Sequence, residues 1–356
     1  MGYPESNDNK EMQEDMELLV NAFDKASDLA GSKVLVTGAT GLLGSQVVRT
    51  LACFNRLKNT NIKVIAYVRN EEKARDMFGQ LIERGDVVVQ VGDINSPINA
   101  KPDVDYIIHG ASATSSRYFV TNPVETIKTA IDGTTNVLEY AGKCDKLKGM
   151  VYLSSLEVYG TPDGKNKTVK EDDYGYIDPV NVRSSYSEGK RMVECLCASY
   201  AKEYGVPVKI ARLSQTFGPG VDYDDGRVFA EFMRCALEGR DIVLHTAGNT
   251  VRTYCYIKDA VSAMLYILLL GEVGEAYNVS NMDTAISIKE MGELVCRELA
   301  DDKISVKIEI PEDVSGFGYN PEMVICLDTH KLMELGWRAT VDLPEMFKRM
   351  SAAFKK

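Results

Sequence analysis

Histidines and closely spaced cysteines are scarce in this chain. It has three histidines, and its eight cysteines are scattered, with no Cys-x-x-Cys pair. A structural zinc site needs four such ligands, so a His/Cys zinc site is not expected and no metal is predicted. Several cysteines lie inside apolar runs, which is typical of reduced, buried thiols.

A long hydrophobic run is also lacking. The longest one, near residues 260–270, is far shorter than the roughly 20 residues that cross a bilayer, and it predicts a buried helix. The first residues are polar and acidic, unlike the basic and apolar start of a secretory signal. We therefore expect a cytoplasmic protein without a membrane partner.

Positive charge is in deficit. Lys and Arg total 41 and Asp and Glu total 52, which gives a formal net charge of −11. A general field of this sign disfavours nucleic acids and anionic membrane surfaces, so neither is an expected partner. A phosphorylated small molecule remains a candidate ligand if its site is locally positive. The apolar fraction of 45% is that of a folded globular chain.

Residues 1–30 form an acidic extension. Its first ten residues are predicted to be disordered. After them, apolar residues recur at helical spacing: Met12, Met16, Leu19, Phe23 and Ala26. This pattern predicts an amphipathic helix that packs on the body of the protein; an interaction helix for a partner is the alternative.

Strand and helix patterns then alternate. Short apolar runs predict strands at 33–37, 63–68, 86–91, 105–109, 149–154 and 208–212. Helices are predicted between them, ending at residue 51 and over 71–84, 123–141 and 186–204. Near-continuous apolar strands that alternate with helices indicate an α/β fold with a doubly wound parallel sheet.

A glycine-rich turn follows the first predicted strand. It reads T-G-A-T-G-L-L-G over residues 37–44 and leads into a predicted helix. Gly38 permits the tight turn, Gly41 lets a pyrophosphate approach the backbone, and Gly44 lets the helix pack against the strand. The helix N-terminus offers N–H groups and a positive dipole to phosphates. The turn predicts a dinucleotide site, and with it a Rossmann domain.

The domain boundaries follow from where this pattern ends. The predicted Rossmann domain covers residues 31–217, and residues 253–280 return to it. Residues 218–252 and 281–356 are predicted to form a smaller C-terminal substrate domain. Ligands of open α/β folds bind at the carboxyl edge of the sheet, so the smaller domain is expected to close over that edge.

The end of the second predicted strand lacks the acidic residue that commonly holds the adenosine ribose. Arg69 stands there instead and suits a 2′-phosphate, so NAD(P) binding with a preference for NADP is predicted. Asp93, after the third strand, is placed to accept a hydrogen bond from the adenine amine. The alternatives are an exposed Arg69 without a role and a solvent-facing turn residue at Asp93.

Six further motifs follow the turn. They are H-G-A-S at 109–112, L-S-S-L-E-V-Y-G at 153–160, Y-S-E-G-K at 186–190, R-L-S-Q-T-F-G-P-G at 212–220, V-R-T-Y-C-Y-I-K-D at 251–259 and L-G-W at 335–337. In this order they resemble the extended short-chain dehydrogenases/reductases that modify nucleotide sugars, over nearly all the chain from residue 33. The resemblance implies further cofactor contacts from Thr40, Leu42, Leu43, Ile94, Gly110, Ala111, Ser112, Tyr186 and Lys190.

Tyr186 and Lys190 lie one helical turn apart, hence on one helix face. A nearby ammonium favours the phenolate and is expected to lower the pKa of Tyr186 toward neutrality. Ser155, at the end of the fifth strand, can hydrogen-bond the same substrate oxygen. Hydride transfer from an alcohol needs a base for its proton, and the resemblance assigns the catalytic roles to these three residues. Each alone has a structural alternative, as a surface pair or a capping hydroxyl.

Three more residues are candidates for contact with a sugar nucleotide. Arg252 stands where family members contact the diphosphate or the sugar, and a guanidinium suits phosphate and carboxylate. Gln215 stands where many members place a substrate-binding Asn, and with Ser155 these two are the predicted substrate contacts. Glu157 is predicted to point to the same side as Ser155 if the segment stays extended, and to remove the C5 proton of the sugar. A structural acceptor for a loop N–H is the alternative.

Departures from the family pattern leave the reaction open. Members that dehydrate hexoses often carry an Asp–Glu pair where this chain has Leu156 and Glu157, and Ala130 replaces a common Asn. The predicted enzyme modifies a nucleotide-diphosphate sugar through a transient 4-keto intermediate, by epimerisation, dehydration or decarboxylation. The alternatives are an NADPH-dependent ketone reductase and a non-catalytic dinucleotide-sensing protein.

The predicted helices over 123–141 and from residue 186 are apolar over more than one face. Family members commonly pair two such helices with a second subunit, so a homodimer is predicted. The alternative is a monomer in which the N-terminal helix covers the second face.

Overall fold

Strands and helices alternate along the chain, as the sequence pattern predicts. The computed structural model describes residues 2–112, 115–162, 168–311 and 322–354. The strands in these ranges are β1 (Lys33–Thr37), β2 (Lys63–Val68), β3 (Val87–Val91), β4 (Tyr106–His109), β5 (Gly149–Ser155), β6 (Val208–Leu213), β7 (Gln215–Phe217), β8 (Ile242–Leu244), β9 (Val251–Tyr256), β10 (Ala276–Val279), β11 (Asn281–Ser287), β12 (Val306–Ile308) and β13 (Val324–Ile325).

The α-helices of the same ranges connect and cover these strands. They are α1 (Lys10–Ala22), α2 (Leu42–Lys58), α3 (Glu71–Glu83), α4 (Ser116–Thr121), α5 (Pro123–Ala141), α6 (Ser185–Tyr204), α7 (Val228–Glu238), α8 (Ile257–Leu270), α9 (Ile288–Ala300), α10 (His330–Glu334) and α11 (Leu343–Ala352). The apolar run near residues 260–270 is the buried helix α8, as predicted.

Seven strands form one sheet in the order β10-β6-β5-β4-β1-β2-β3. Each neighbouring pair in this sheet is parallel. β4, β5 and β6 are almost wholly buried, because helices cover both faces. The strand order reverses between β1 and β4, and a crevice for ligands opens beyond their carboxyl ends. The predicted doubly wound sheet is confirmed.

A smaller sheet contains β7, β9, β11 and β13, and β8 pairs with β12. Together with α7, α9 and α11 it encloses a second core that is rich in aromatic residues: Phe217, Phe229, Phe232, Tyr254, Tyr256 and Phe347. The predicted domain boundaries differ from these sheets. β7 and the end of β9 pair with each other in the smaller sheet. Leu332 and Trp337 pack in the core of the large one. The sequence of a short apolar strand does not indicate which sheet it will join. Its assignment to a domain therefore depends on the strand with which it pairs in the folded protein.

The N-terminal extension is packed against the body. α1 buries its apolar side chains, Met16 and Leu19 among them, in the core beside α2 and α8. This confirms the helix that was predicted to pack on the body. The prediction that the first ten residues are disordered is wrong at Glu5, which is held in place by ion pairs. Its fully buried carboxylate pairs with Arg56 at 2.9 Å and with Arg84 at 2.8 Å.

α5 and α6 pack against each other on the opposite face of the sheet from α1. α1 therefore does not cover them. Val124, Ile127 and Met192 on these helices keep exposed fractions of 57%, 39% and 51%. An uncovered apolar face is left on this pair of helices.

Two further properties hold within the described ranges. No helix there combines the length and apolarity that crossing a bilayer requires. No group of three or more His, Cys, Asp or Glu side chains there is arranged to hold a metal ion. The cysteines are free thiols, and all but Cys195 are buried.

Candidate active site

The glycine-rich turn connects β1 to α2. Gly38 has φ +67°, and a Cβ there would lie 2.8 Å from the backbone of Gly110 and Ala111. A Cβ on Gly44 would overlap the Gly38 carbonyl oxygen. Gly41 is the N-cap of α2, and no side chain caps the helix there. The first N–H groups of α2 therefore remain for an anion, and the turn fits the pyrophosphate of a dinucleotide.

The loop after β4 lies directly beside this turn. Gly110 and Ala111 touch Gly38, and Ser112 follows them. His109 at the end of β4 bonds Thr37 at 2.6 Å and Thr134 at 3.0 Å. Burial lowers the pKa of His109 to about 3, so it is a neutral structural residue. The two loops bring the predicted contacts Thr40, Leu42, Leu43, Gly110, Ala111 and Ser112 to one edge of the sheet.

Arg69, Asp93 and Ile94 lie at the ends of β2 and β3. Arg69 is exposed, just before α3. Asp93 accepts a hydrogen bond from the Asn95 N–H at 2.9 Å, and Ile94 is 7% exposed. All three follow strands on the side of β1 where the adenosine half of a dinucleotide binds in such folds.

Ser155, Tyr186 and Lys190 come together at the carboxyl end of β5. Ser155 is the last residue of the strand, and its hydroxyl lies close enough to the Tyr186 phenol to oppose the rise in the pKa of that phenol. The Lys190 ammonium lies 5.6 Å from the centroid of the Tyr186 ring. It donates a hydrogen bond to the Leu153 carbonyl at 2.7 Å. The structure therefore assembles the group that the sequence predicts.

The pKa of Tyr186 differs from its expected direction. Loss of water around the phenol raises its pKa, the Glu157 carboxylate raises it further, and the Ser155 hydrogen bond lowers it. The sequence predicted a lowered pKa, because the effect of burial cannot be seen in the Tyr–Lys spacing. Burial also lowers the pKa of Lys190 to about 8, against the opposing charge of Glu194.

Glu157 lies in a 3₁₀ turn at Leu156–Tyr159, so the expected extended segment is wrong. Its carboxylate is bound in a bidentate pair by Arg183, at 3.0 and 2.9 Å. Ser187 donates a third hydrogen bond at 3.0 Å. The partners of Glu157 are thus side chains of α6 and the turn before it, rather than a loop N–H.

Phe119 and Arg183 are site residues that sequence reasoning missed. The Phe119 ring stacks on Tyr186 with centroids 4.2 Å apart and planes 11° apart. The Arg183 guanidinium lies 5.3 Å from the Phe119 centroid. A signal for Arg183 existed, because it precedes Tyr186 by only three residues, in the turn that leads into α6. Phe119 is close only through tertiary packing.

Gln215 and Arg252 lie on strands of the smaller sheet. Gln215 in β7 is in register with Tyr254 in β9, two residues after Arg252. The Gln215 Oε1, Arg252 Nε and Tyr254 hydroxyl atoms are buried without a hydrogen-bond partner in the described part of the chain. Burial raises the pKa of Tyr254 to about 12, and nearby Arg252 opposes this. Unpaired buried polar atoms are costly unless a partner satisfies them, so this group is a candidate for contact with a ligand.

A buried ion pair supports the base of the site. Arg212 in β6 binds Glu194 in α6 at 2.7 Å, and Ser154 donates to Glu194 at 2.5 Å. Glu194 stands one helical turn after Lys190. A cavity of about 700 Å³ lies next to this pair and is lined by Arg191, Glu194, Arg212, Glu275 and Lys331 among others. None of the predicted site residues lines that cavity.

Known proteins have sequences similar to this chain. The model of the NAD dependent epimerase/dehydratase family matches residues 34–280. UDP-glucuronic acid decarboxylase 6 of Arabidopsis thaliana is 31% identical over 91% of this chain and 89% of its own. UDP-glucuronic acid decarboxylase 1 of Xenopus tropicalis is 28% identical over 91% of this chain and 72% of its own.

Solved structures share the fold. UDP-glucose 4-epimerase of Thermotoga maritima, with UDP-glucose, has a TM-score of 0.73, 24% identity and coverage of 91% of this chain and 98% of its own. UDP-glucuronic acid 4-epimerase of Bacillus cereus, with NAD, has a TM-score of 0.72, 22% identity and the same two coverages. The resemblance seen in the motifs is confirmed, and so is the prediction of an NAD(P)-dependent enzyme that modifies nucleotide sugars through a 4-keto intermediate. The chain belongs to the NAD dependent epimerase/dehydratase family.

Proposed function

We propose that this protein decarboxylates a nucleotide-linked uronic acid, with UDP-glucuronic acid as its substrate. The observation that carries the proposal is the presence, in the candidate site, of two arginines with a buried Nε atom that is unpaired among the described residues, Arg183 near Tyr186 and Arg252 in β9. A uronic acid nucleotide brings a carboxylate and a diphosphate, and each of them suits a guanidinium. Similarity to the decarboxylases supports the choice. Leu156, in place of the acid common in hexose dehydratases, counts against dehydration.

Ser155 and Tyr186 hold the C4 oxygen of the sugar. Tyr186 accepts the proton of the C4 hydroxyl group in its phenolate form, which a nearby positive charge favours against the effect of burial. Lys190 supplies positive charge beside the phenol. A bound nicotinamide dinucleotide supplies the acceptor for the C4 hydride and later returns it. The resulting 4-keto sugar has its C6 carboxylate beta to the ketone. Loss of carbon dioxide breaks the C5–C6 bond, and the electron pair passes to C5 and O4. Tyr186 and Ser155 stabilise O4 until C5 takes a proton from solvent water in place of the departed carboxylate. Return of the hydride to C4 and of the Tyr186 proton to O4 then restores the C4 alcohol.

Glu157 carries a second candidate function. Its carboxylate lies close enough to Tyr186 to raise the pKa of that phenol. From there it would remove the proton at C5 next to a C4 ketone, which begins an epimerisation or an elimination. Glu157→Gln should then retain oxidation at C4 and cofactor binding, so that a keto-sugar or reduced cofactor accumulates. Normal turnover by this variant would make Glu157 structural.

The preference of the cofactor site for NADP over NAD is part of the proposal. Arg69 is exposed at the end of β2, and no hydrogen bond joins its guanidinium to the described residues. A 2′-phosphate would therefore find a donor there. Competitive titration should show tighter binding of NADP, and Arg69→Ala should reduce that preference by about tenfold. Tighter NAD binding by the unmodified protein would overturn this preference.

The assembly and location of the protein are also proposals. The exposed apolar side chains of α5 and α6 support a homodimer formed through these two helices. Light scattering should report a molar mass twice that of one chain. A charged residue in place of Val124 should reduce the molar mass to that of a single chain. The free cysteines support a reducing, cytoplasmic environment.

The decisive experiment offers UDP-glucuronic acid to the purified protein with NAD or NADP. Mass spectrometry should detect a UDP-pentose and carbon dioxide in equal amounts. Absorbance of the reduced nicotinamide should show no net change, because the hydride returns to the sugar. Net consumption of NADPH with a 4-keto sugar would favour the reductase, and an unchanged substrate would favour the sensing protein. Tyr186→Phe is the inactive control.

A further inference from the structure

Among the residues that the structure describes, Arg183 alone binds both oxygens of the Glu157 carboxylate. The pair is largely buried, with side-chain exposures of 15% for Arg183 and 21% for Glu157. It lies beside the reacting centre, since Arg183 and Glu157 both act electrostatically on the Tyr186 phenol. While Arg183 and Glu157 bind each other, the Glu157 carboxylate is not available as a proton acceptor and the Arg183 guanidinium is not available to a ligand.

The Arg183 guanidinium is also incompletely satisfied. Its Nε atom is buried and has no hydrogen-bond partner in the described part of the chain. The aromatic ring of Phe119 holds the group in place from one side. A fixed guanidinium with a spare donor is suited to a second planar carboxylate.

We propose that Arg183 selects acidic sugars by exchanging its partner, from the Glu157 carboxylate to the C6 carboxylate of the substrate. The exchange keeps one negative charge on Arg183 and frees Glu157 only when an acidic sugar is bound. This inference rests on the proposed function and deepens it. It assigns the sugar carboxylate to Arg183 and leaves Arg252 for the diphosphate, because Arg183 lies in the turn that leads into the Tyr186 helix and Arg252 lies in the smaller sheet.

Partner exchange predicts opposite effects for the two members of the pair. Arg183→Gln removes the receptor, so the affinity for UDP-glucuronic acid should fall by about 10- to 100-fold. Glu157→Gln removes the competitor, so that affinity should rise by about three- to tenfold. A purely structural pair predicts a loss for both variants, because either one leaves a buried charge without its partner.

Isothermal titration of the cofactor-loaded protein with UDP-glucuronic acid and with UDP-glucose measures these effects. UDP-glucose has no carboxylate, so neither variant should change its affinity by more than about threefold. Arg252→Gln should lower the affinity for both ligands by the same factor, because both carry the diphosphate. Arg75→Gln is the matched control, because it breaks an exposed Arg–Glu pair on α3 and should change nothing.

Arg183→Lys guards against misfolding of the glutamine variant. It keeps the charge and loses the bidentate geometry. Its affinity for UDP-glucuronic acid should therefore lie between those of the unmodified protein and Arg183→Gln. Weaker binding of UDP-glucuronic acid by Glu157→Gln would overturn the exchange, since Arg183→Lys is expected to bind it less tightly in either case.

Failure of the proposed function gives a different result. If the unmodified protein binds UDP-glucuronic acid no better than UDP-glucose and forms no UDP-pentose, both proposals are wrong. If it forms UDP-pentose while Arg183→Gln keeps the preference for the acid, only the exchange is wrong.

Discussion

The phosphate turn and the catalytic cleft are built by different means. The turn is made from backbone, and its shape depends on Gly38 and Gly44, where a side chain would overlap the neighbouring chain. The cleft is made from side chains of β5, α4, α6 and the two short turns that hold Glu157 and Arg183, and these side chains contact one another. Substitutions in the turn should therefore disrupt it through steric overlap. Substitutions in the cleft should disrupt it through loss of charge or of hydrogen bonds.

The largest effect is expected in the turn. Gly44→Val places a branched side chain against the Gly38 carbonyl. The turn and α2 can then no longer pack as closely as they do in the structure. Cofactor binding should be lost and the free energy of unfolding should fall by about 3 kcal/mol or more. Gly41→Val is the matched variant, because a Cβ there meets only the Gly38 oxygen, at 3.2 Å. It should lose cofactor binding and keep its melting temperature. Undiminished binding by Gly41→Val would contradict the assignment of the turn.

The next largest effect is expected in the cleft. Tyr186→Phe removes the proton acceptor and leaves the ring stacked on Phe119. The turnover number should fall by about 10²- to 10⁴-fold, with cofactor affinity and melting temperature unchanged. Stopped-flow absorbance and fluorescence titration measure the two quantities. A comparable loss of cofactor binding would mean that cleft and turn are one cooperative unit.

A smaller effect is expected from pH. Burial lowers the pKa of Lys190 to about 8, so its ammonium is present below that pH and is lost above it. If the charge assists Tyr186, the turnover number falls as pH rises through about 8. Lys190→Met should have low activity without this pH step. A step that persists in Lys190→Met belongs to another group.

The smallest effect is expected outside both regions, at Asp15 in α1. Its carboxylate accepts a hydrogen bond from Tyr256 and pairs with Arg349 at 3.1 Å. Burial raises the pKa of Asp15 to about 6 in the folded protein, above its value of 3.8 when unfolded. The folded state then holds the proton more tightly, so stability from this group is full below about pH 4 and is lost as pH rises through about 6. Between pH 7 and pH 5 the protein should gain about 1 kcal/mol of stability relative to Asp15→Asn. Calorimetry at both values checks this, and cofactor affinity should not change.

The parallel sheet and the phosphate turn could be predicted because their signals are local. Strand runs such as Lys33–Thr37 agree with the structure to the residue, and glycine spacing specifies a backbone path. The Ser155, Tyr186 and Lys190 group could also be predicted, since a strand end and one helix face have a defined place in this topology.

Other features depended on contacts between distant segments. Glu5 was expected in a disordered tail, and Arg56 and Arg84, which bind it, lie 51 and 79 residues away. Phe119 meets Tyr186 in the same way, from a helix 67 residues earlier in the sequence. The pKa of Tyr186 followed burial rather than the Lys190 spacing.

The sequence by itself determined the fold class and predicted the glycine-rich turn and the candidate catalytic group, because these depend on local backbone preference and helical periodicity. Only the tertiary structure decided that Glu157 is held by Arg183, that α1 lies away from the α5–α6 face, and that Gln215 and Arg252 share the smaller sheet. The physical reason is that burial and ion pairing depend on distances between segments, and no local pattern encodes those distances.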